Sequence, residues 1–348
     1  MINIPNTMKG VYLTGHGGPE KLEYRDDIPV PKPGSFDVLV RVAAAGVNNT
    51  DINTRKAWYS KNDESSEDAS WSGEALSFPR IQGADVCGSI VSVGDEVNES
   101  RIGERILIEP CIREVNGKRL LNPWYFGSEC DGGFAEYAIV SSVHAFVIKS
   151  EFTDVELASF PCSYSTAENL LTRANVQKGD RVLITGASGG VGSAALQLAK
   201  ARNAHVIAVT SPSKSEALIE LGADEIVKRN ESLTKNLGSN STDVVIDLVA
   251  GQQWPDLLDV LKPGGRYAVS GAIGGPIVEL DVRTLYLKDL SLLGCTVFEP
   301  KVFPNLITRI ENKDILPLVA NTFPLDQIAE AQAEFQQKKH IGKLVIII

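Results

Sequence analysis

Gly186, Gly189 and Gly192 stand three apart between the apolar run RVLITG (181–186) and the helix-forming run SAALQLAKARN (193–203). A glycine turn between a buried strand and a helix lets the backbone approach a pyrophosphate closely. The helix N-terminus then offers free N–H groups and a partial positive charge. Ser188, Gly189, Gly190 and Val191 are the expected diphosphate contacts. Ala187 stands where the first glycine of a GxGxxG fingerprint would be, so the assignment rests on the strand before and the helix after. The end of the next apolar run, HVIAVT (205–210), selects the dinucleotide. Thr210, Ser211, Pro212, Ser213 and Lys214 include no acid to hold a ribose 2′-hydroxyl, but hydroxyls and one lysine that suit a 2′-phosphate. NADP is therefore expected over NAD. Ser213 is also placed to cap the following helix, a role compatible with phosphate binding.

The elements that would hold these residues follow from patterning. Before residue 150 the chain reads as short β-branched runs punctuated by Gly and Pro: 37–47, 87–94, 103–110 and 134–140. After residue 180, nearly all-apolar strands alternate with amphipathic helices, which implies a parallel sheet covered on both faces. The expectation is an α/β chain of two domains, a β-rich part and a doubly wound parallel sheet. The segment 60–74 is acidic and Ser-rich; it reads as a solvated loop or, following Trp58 and Tyr59, as a lid over a site.

With 34 Lys and Arg against 44 Asp and Glu, the formal charge of the 348 residues is −10, which argues against nucleic-acid binding and polybasic membrane attachment. No apolar run is long enough to span a membrane, and the start MINIPNTMKG lacks the apolar core of a secretory signal. Five dispersed cysteines without a CxxC pair read as free thiols, and a cytoplasmic protein is expected.

The order VYLTGHGGPEKL, AAAGVNNTDI, GADVCGSIVSVG, GGFAEYAIV, PCSYSTAENLL, GASGGVG and HIGKLVI resembles the medium-chain dehydrogenase/reductase superfamily along essentially the whole chain, in particular its zinc-free quinone oxidoreductase-like branch. The resemblance implies a GroES-like catalytic domain built from both ends of the chain, with a Rossmann domain inserted between them. The expected boundaries are 1–160, 161–300 and 301–348, and the expected assembly is a homodimer or homotetramer. In the zinc-dependent members the metal is held by a Cys, a His and a second Cys. By resemblance Asn48, Ala84 and Cys162 occupy those positions. An amide, a methyl group and one thiol do not make a catalytic zinc site, so no metal is expected. The segment 111–133, with only Cys111 and Cys130, reads as an ordinary connection rather than a four-cysteine lobe.

Without a Lewis acid, the chemistry implied is hydride delivery to an already conjugated acceptor, a quinone or an α,β-unsaturated carbonyl. Catalytic candidates are Asn48, Tyr59 and Asp51. Asn48 either holds the nicotinamide ribose or the substrate carbonyl, or closes a local Asx turn. Tyr59 either donates a proton to the developing enolate or only packs. Asp51 is expected to orient the loop. The resemblance further places Gly271, Ala272 and Ile273 at the nicotinamide end. Lys343 falls near the cofactor, or else is a solvated lysine on an edge strand. Three other readings stay open: an enoyl-thioester reductase, a cofactor-binding protein without turnover and a residual zinc alcohol dehydrogenase.

Overall fold

The computed structural model describes residues 3–60, 70, 71 and 75–348. Most of the acidic segment 60–74 lies outside the described residues, and with it the choice between loop and lid. The chain divides into two compact units, Met1–Cys162 with Pro317–Ile348, and Ser163–Leu316.

The first unit is built on the strand Asp37–Gly46, which pairs antiparallel with Asp85–Val93, Tyr137–Ser141 and Lys343–Ile347. Its side chains alternate between two cores, as a pleated strand requires. Val38, Val40 and Val42 pack with Val86, Ile90 and Ile106, whereas Leu39 and Ala45 pack with Phe134, Phe335 and Leu344. Burying each such aliphatic side chain is worth about 1.5–3 kcal/mol. Lys343–Ile347 is an interior strand, flanked on its other side by Val319–Pro324. Segment 111–133 contributes an antiparallel hairpin, Cys111–Val115 with Lys118–Tyr125, and neither Cys111 nor Cys130 is in a disulfide.

The second unit carries a six-stranded parallel sheet in the order Glu225–Lys228, His205–Thr210, Arg181–Ile184, Thr242–Asp247, Leu261–Val269, Ser291–Gly294. The order reverses direction beside Arg181–Ile184, the switch point at which doubly wound sheets bind nucleotides. This unit extends to Leu316 rather than ending near 300. The helix Val302–Glu311 and the residues after it are tied to it by Tyr164 Oη and Gln197 Nε2, which both donate to the Leu316 carbonyl at 2.8 and 3.1 Å. A second tie is Asn169 Nδ2, which donates to the Val297 carbonyl.

Candidate active site

At the carboxyl end of the parallel sheet, the chain turns through Gly186 (φ +57°) and enters the helix Gly190–Ala201. The N-cap is Gly189, which has no side chain to cap the first turn, so its N–H groups are left for a ligand. Gly192 is required here by close approach. A Cβ there would lie 2.3 Å from the Gly186 carbonyl oxygen and 2.6 Å from Ala187 Cα. Ser188, Gly189, Gly190 and Val191 are all at least partly exposed along this turn.

Two further loops meet the turn. Residues 248–250 leave the strand Thr242–Asp247, and Val249 would touch a Cβ at Gly186 at 3.2 Å. Residues 271–274 lean on that loop through Gly274 N donating to the Val249 carbonyl at 2.7 Å. Gly271, Ala272 and the exposed Ile273 therefore border the same edge as the glycine turn. Asp247, fully buried, fixes the 248–250 loop. It accepts from Thr185 Oγ1 (2.6 Å), Val249 N, Ala250 N and Tyr267 Oη (2.5 Å). Sequence reading missed it, because its role depends on three strands meeting.

On the next strand, Ala187 N donates to the Val209 carbonyl, which brings the end of His205–Thr210 beside the glycine turn. The Thr210 hydroxyl is buried with no hydrogen-bond partner among the described residues, and Ser211 and Ser213 place their hydroxyls 3.3 Å apart just beyond it. Lys214 has its pKa lowered by burial and by the neighbouring Arg229 charge. Two cations that feel each other's charge, beside an orphaned hydroxyl, suit a bound phosphate. Arg229 was not singled out from sequence. It follows the strand Glu225–Lys228 and belongs to no recognisable motif.

The catalytic candidates lie in the first unit. Asn48 ends the loop after Asp37–Gly46 and caps the helix Asn49–Arg55, with Asp51 Oδ2 accepting from Asn48 N at 2.7 Å. The Asp51 carbonyl also accepts from Gln82 Nε2 at 2.8 Å. Burial raises the Asp51 carboxyl to about 7, against the opposing pull of the Asn48 N–H and the Lys343 charge.

The Asn48 carboxamide is held at both ends. Its Nδ2 donates to Asp85 Oδ2 at 2.8 Å, and its Oδ1 accepts from Lys343 Nζ at 2.5 Å. Lys343 Nζ also lies 2.6 Å from Asp85 Oδ2. Lys343 is thus buried on an interior strand, not solvated on an edge, and two of its three donor positions are taken inside this unit. Asp85 completes the knot by accepting from the Cys162 N–H through Oδ1. Gly46 permits this arrangement, since a Cβ there would lie 2.5 Å from Asp85 Oδ2.

Tyr59 and Tyr125 approach the same cluster. Tyr59 Oη donates to Thr50 Oγ1 at 3.2 Å, and its phenol feels Cys162 and Asp51, although burial is the main cause of its raised pKa. Tyr125 Oη lies 2.9 Å from Cys162 Sγ, and burial pushes this phenol well above its ordinary value. The Cys162 thiol is raised to about 12 by burial first and Asp85 next, so it stays protonated at neutral pH. The hairpin read as an ordinary connection rather than a metal site therefore brings Tyr125 against Cys162.

These residues do not fit a catalytic zinc. Of the three positions that hold the metal in zinc-dependent relatives, Asn48 is bonded to an ammonium, Ala84 is a buried methyl and only Cys162 is a usual metal ligand, one where a catalytic zinc site needs about three. Among the described residues, no group of three or more His, Cys, Asp or Glu could hold a metal ion. Nor is any described helix long and apolar enough to cross a membrane.

Comparison with known proteins gives matches along the whole chain. Residues 34–150 match the alcohol dehydrogenase GroES-like domain, and residues 190–312 match the zinc-binding dehydrogenase domain. A solved structure described as a putative alcohol dehydrogenase from Sinorhizobium meliloti 1021 is 43% identical, with a TM-score of 0.91 over 99% of this chain and 97% of that one. The quinone oxidoreductase of Lama guanicoe is 28% identical over 98% of each chain. The acryloyl-coenzyme A reductase of Metallosphaera sedula is 28% identical over 97% of this chain and 99% of its own.

Proposed function

The chain belongs to the medium-chain dehydrogenase/reductase superfamily and is an oxidoreductase, and from that premise we propose that it is an NADPH-dependent, metal-independent reductase of quinones or α,β-unsaturated carbonyl compounds. The observation that carries this reading is the Lys343 ammonium standing against Asn48, where a metal-dependent relative would need a ligand. Conjugated acceptors need no metal to polarise them, because they spread the incoming charge onto their own oxygen.

Ser188, Gly189, Gly190 and Val191 bind the diphosphate, while Thr210, Ser211, Ser213, Lys214 and Arg229 bind the 2′-phosphate. Gly271, Ala272 and Ile273 border the nicotinamide. When bound, the reduced nicotinamide supplies a hydride to the electron-poor carbon of the acceptor. Tyr59 donates a hydrogen bond to the oxygen on which negative charge develops, and burial keeps its phenol protonated for that task. Asp51 holds the turn that carries Asn48 in place. The Asn48 carboxamide, bonded at both ends within the unit, serves this reading as part of the pocket wall.

The assembly proposed is a homodimer or homotetramer formed through the strand Ser291–Gly294. That strand ends the sheet and exposes Leu292 beside Val297. The dispersed free thiols support a cytoplasmic setting.

The name of the Metallosphaera sedula relative favours a second reading, reduction of an enoyl thioester. NADPH oxidation against a panel of quinones, enones and enoyl-CoA esters separates the two. Turnover confined to the thioesters overturns the first reading, and NADPH binding without turnover on any of them overturns both.

A further inference from the structure

His144 closes the short turn Ser142–His144, is buried, and is bonded at both ring nitrogens. Its Nε2 accepts from two successive peptide N–H groups, Arg113 N at 3.0 Å and Glu114 N at 3.1 Å. A nitrogen faced by two donors must present its lone pair, so the ring proton sits on Nδ1. Nδ1 donates to Glu109 Oε2 at 2.8 Å. Glu109, fully buried, is also gripped by the Arg113 guanidinium, with Nη2 donating to Oε2 at 2.8 Å and Nη1 2.8 Å from Oε1. Arg101, itself paired with Glu104, donates to the Ser142 and Ala145 carbonyls that flank the imidazole in the chain.

The two N–H groups belong to the first strand of the hairpin Cys111–Val115 with Lys118–Tyr125, in which Cys111 pairs with Tyr125. One part of this hairpin therefore hangs on the imidazole, while another sets Tyr125 Oη against Cys162 Sγ. We propose that His144 is an acid-sensitive latch: neutral, it holds the hairpin through Arg113 and Glu114 and so positions Tyr125 over the Cys162 thiol; protonated, it loosens the hairpin. A proton on Nε2 would point one N–H at two others, break both hydrogen bonds and leave two buried donors unpaired. The Glu109 carboxylate would stabilise the imidazolium once formed, so the proton stays on the ring and the strand gives way. His144 is a positioning residue that acts through the hairpin. The proposal goes beyond the reading of substrate and holds for any acceptor.

The test uses the full chain. Nitrogen-15 spectra of histidine-labelled protein, assigned with His144→Gln, should show His144 protonated at Nδ1 and bare at Nε2 near neutral pH. Hydrogen exchange, corrected for the intrinsic effect of pH, should show protection of residues 110–126 falling at least ~10-fold from about pH 8 to about pH 5, the range in which imidazoles titrate. His144→Gln keeps an oxygen to accept from both N–H groups but cannot take up a proton, so its protection should not show this fall. Asp51 titrates over the same interval, so the difference between parent and variant is the readout. His144→Leu, which has no acceptor, should raise alkylation of Cys162 by N-ethylmaleimide at least ~10-fold relative to Cys295, and His144→Gln should restore the parent ratio. If His144→Leu does not fold, the same ratio at about pH 5 should be higher in the parent than in His144→Gln. A ring proton on Nε2 overturns the proposal, and so does equal pH dependence of protection in parent and His144→Gln. An unchanged alkylation ratio, in folded His144→Leu or in the acid comparison, overturns the positioning of Tyr125.

Discussion

The phenol oxygen of Tyr125 and the sulfur of Cys162 lie 2.9 Å apart in a buried contact. Quinones and enones are thiol-reactive, so a thiol in their pocket is a hazard unless it stays protonated. With its thiol raised to about 12, Cys162 exposes only a minute thiolate fraction at pH 7.5. N-Ethylmaleimide at that pH should alkylate it at least ~10³-fold more slowly than an ordinary thiol. Peptide mass spectrometry of the time course reads the rate directly, and labelling at the ordinary rate would refute the assignment.

Tyr59→Phe removes a hydroxyl that feels both Asp51 and Cys162 without altering the ring. The expected effect is a fall in kcat of roughly 10²-fold, with KM little changed, because the lost hydrogen bond forms only as charge develops on oxygen. Steady-state kinetics with a quinone and an enone measure it. Unchanged kcat with both would take the phenol out of the chemistry.

Lys214→Ala and Arg229→Ala should each weaken NADPH binding by about tenfold or more, as expected for loss of one charge-assisted contact, and leave NADH binding nearly unchanged. Quenching of intrinsic fluorescence by the two coenzymes supplies both affinities. Equal losses for NADPH and NADH would mean that these cations do not face the 2′-phosphate.

Asp51 makes stability depend on pH in a definite direction. Its folded carboxyl is raised to about 7 from 3.8, so the folded chain holds a proton that the unfolded chain has released over that interval. Stability from this group is full below about pH 4 and is lost as pH rises towards 7, by a few kcal/mol at most. Asp51→Asn should flatten that slope in urea-unfolding experiments between pH 4.5 and 7.5. A slope identical to that of the parent would contradict the buried, raised carboxyl.

What the sequence revealed is what nearest neighbours along the chain determine. The glycine turn, the strand before it and the helix after it occupy fewer than thirty consecutive residues, so periodicity and turn chemistry were enough to place them. The end of the strand at Thr210, with the hydroxyls and lysine that follow it, was placed by the same local pattern. Lys343 was not, since its partners Asn48 and Asp85 are brought to it only by the pairing of Lys343–Ile347 with Asp37–Gly46. Its flanking sequence, a lysine ahead of an apolar strand, looks the same whether the ammonium is solvated or buried. Tyr125 was hidden in a segment considered only for its cysteines, and Arg229 in a turn with no motif. The end of the second unit was misplaced by sequence because hydrogen bonds to Leu316, not any change in composition, mark it.

The strand that begins at Lys343 lies 295 residues after Asn48, with the entire nucleotide-binding unit encoded in the interval. A ribosome that has released everything through Leu316 has therefore produced a finished parallel sheet but left the Asp85 carboxylate without its ammonium partner and the strand Asp37–Gly46 without its neighbour Lys343–Ile347. A polypeptide that stopped short of that strand would carry a complete sheet in one unit and, in the other, a buried charge with nothing to neutralise it.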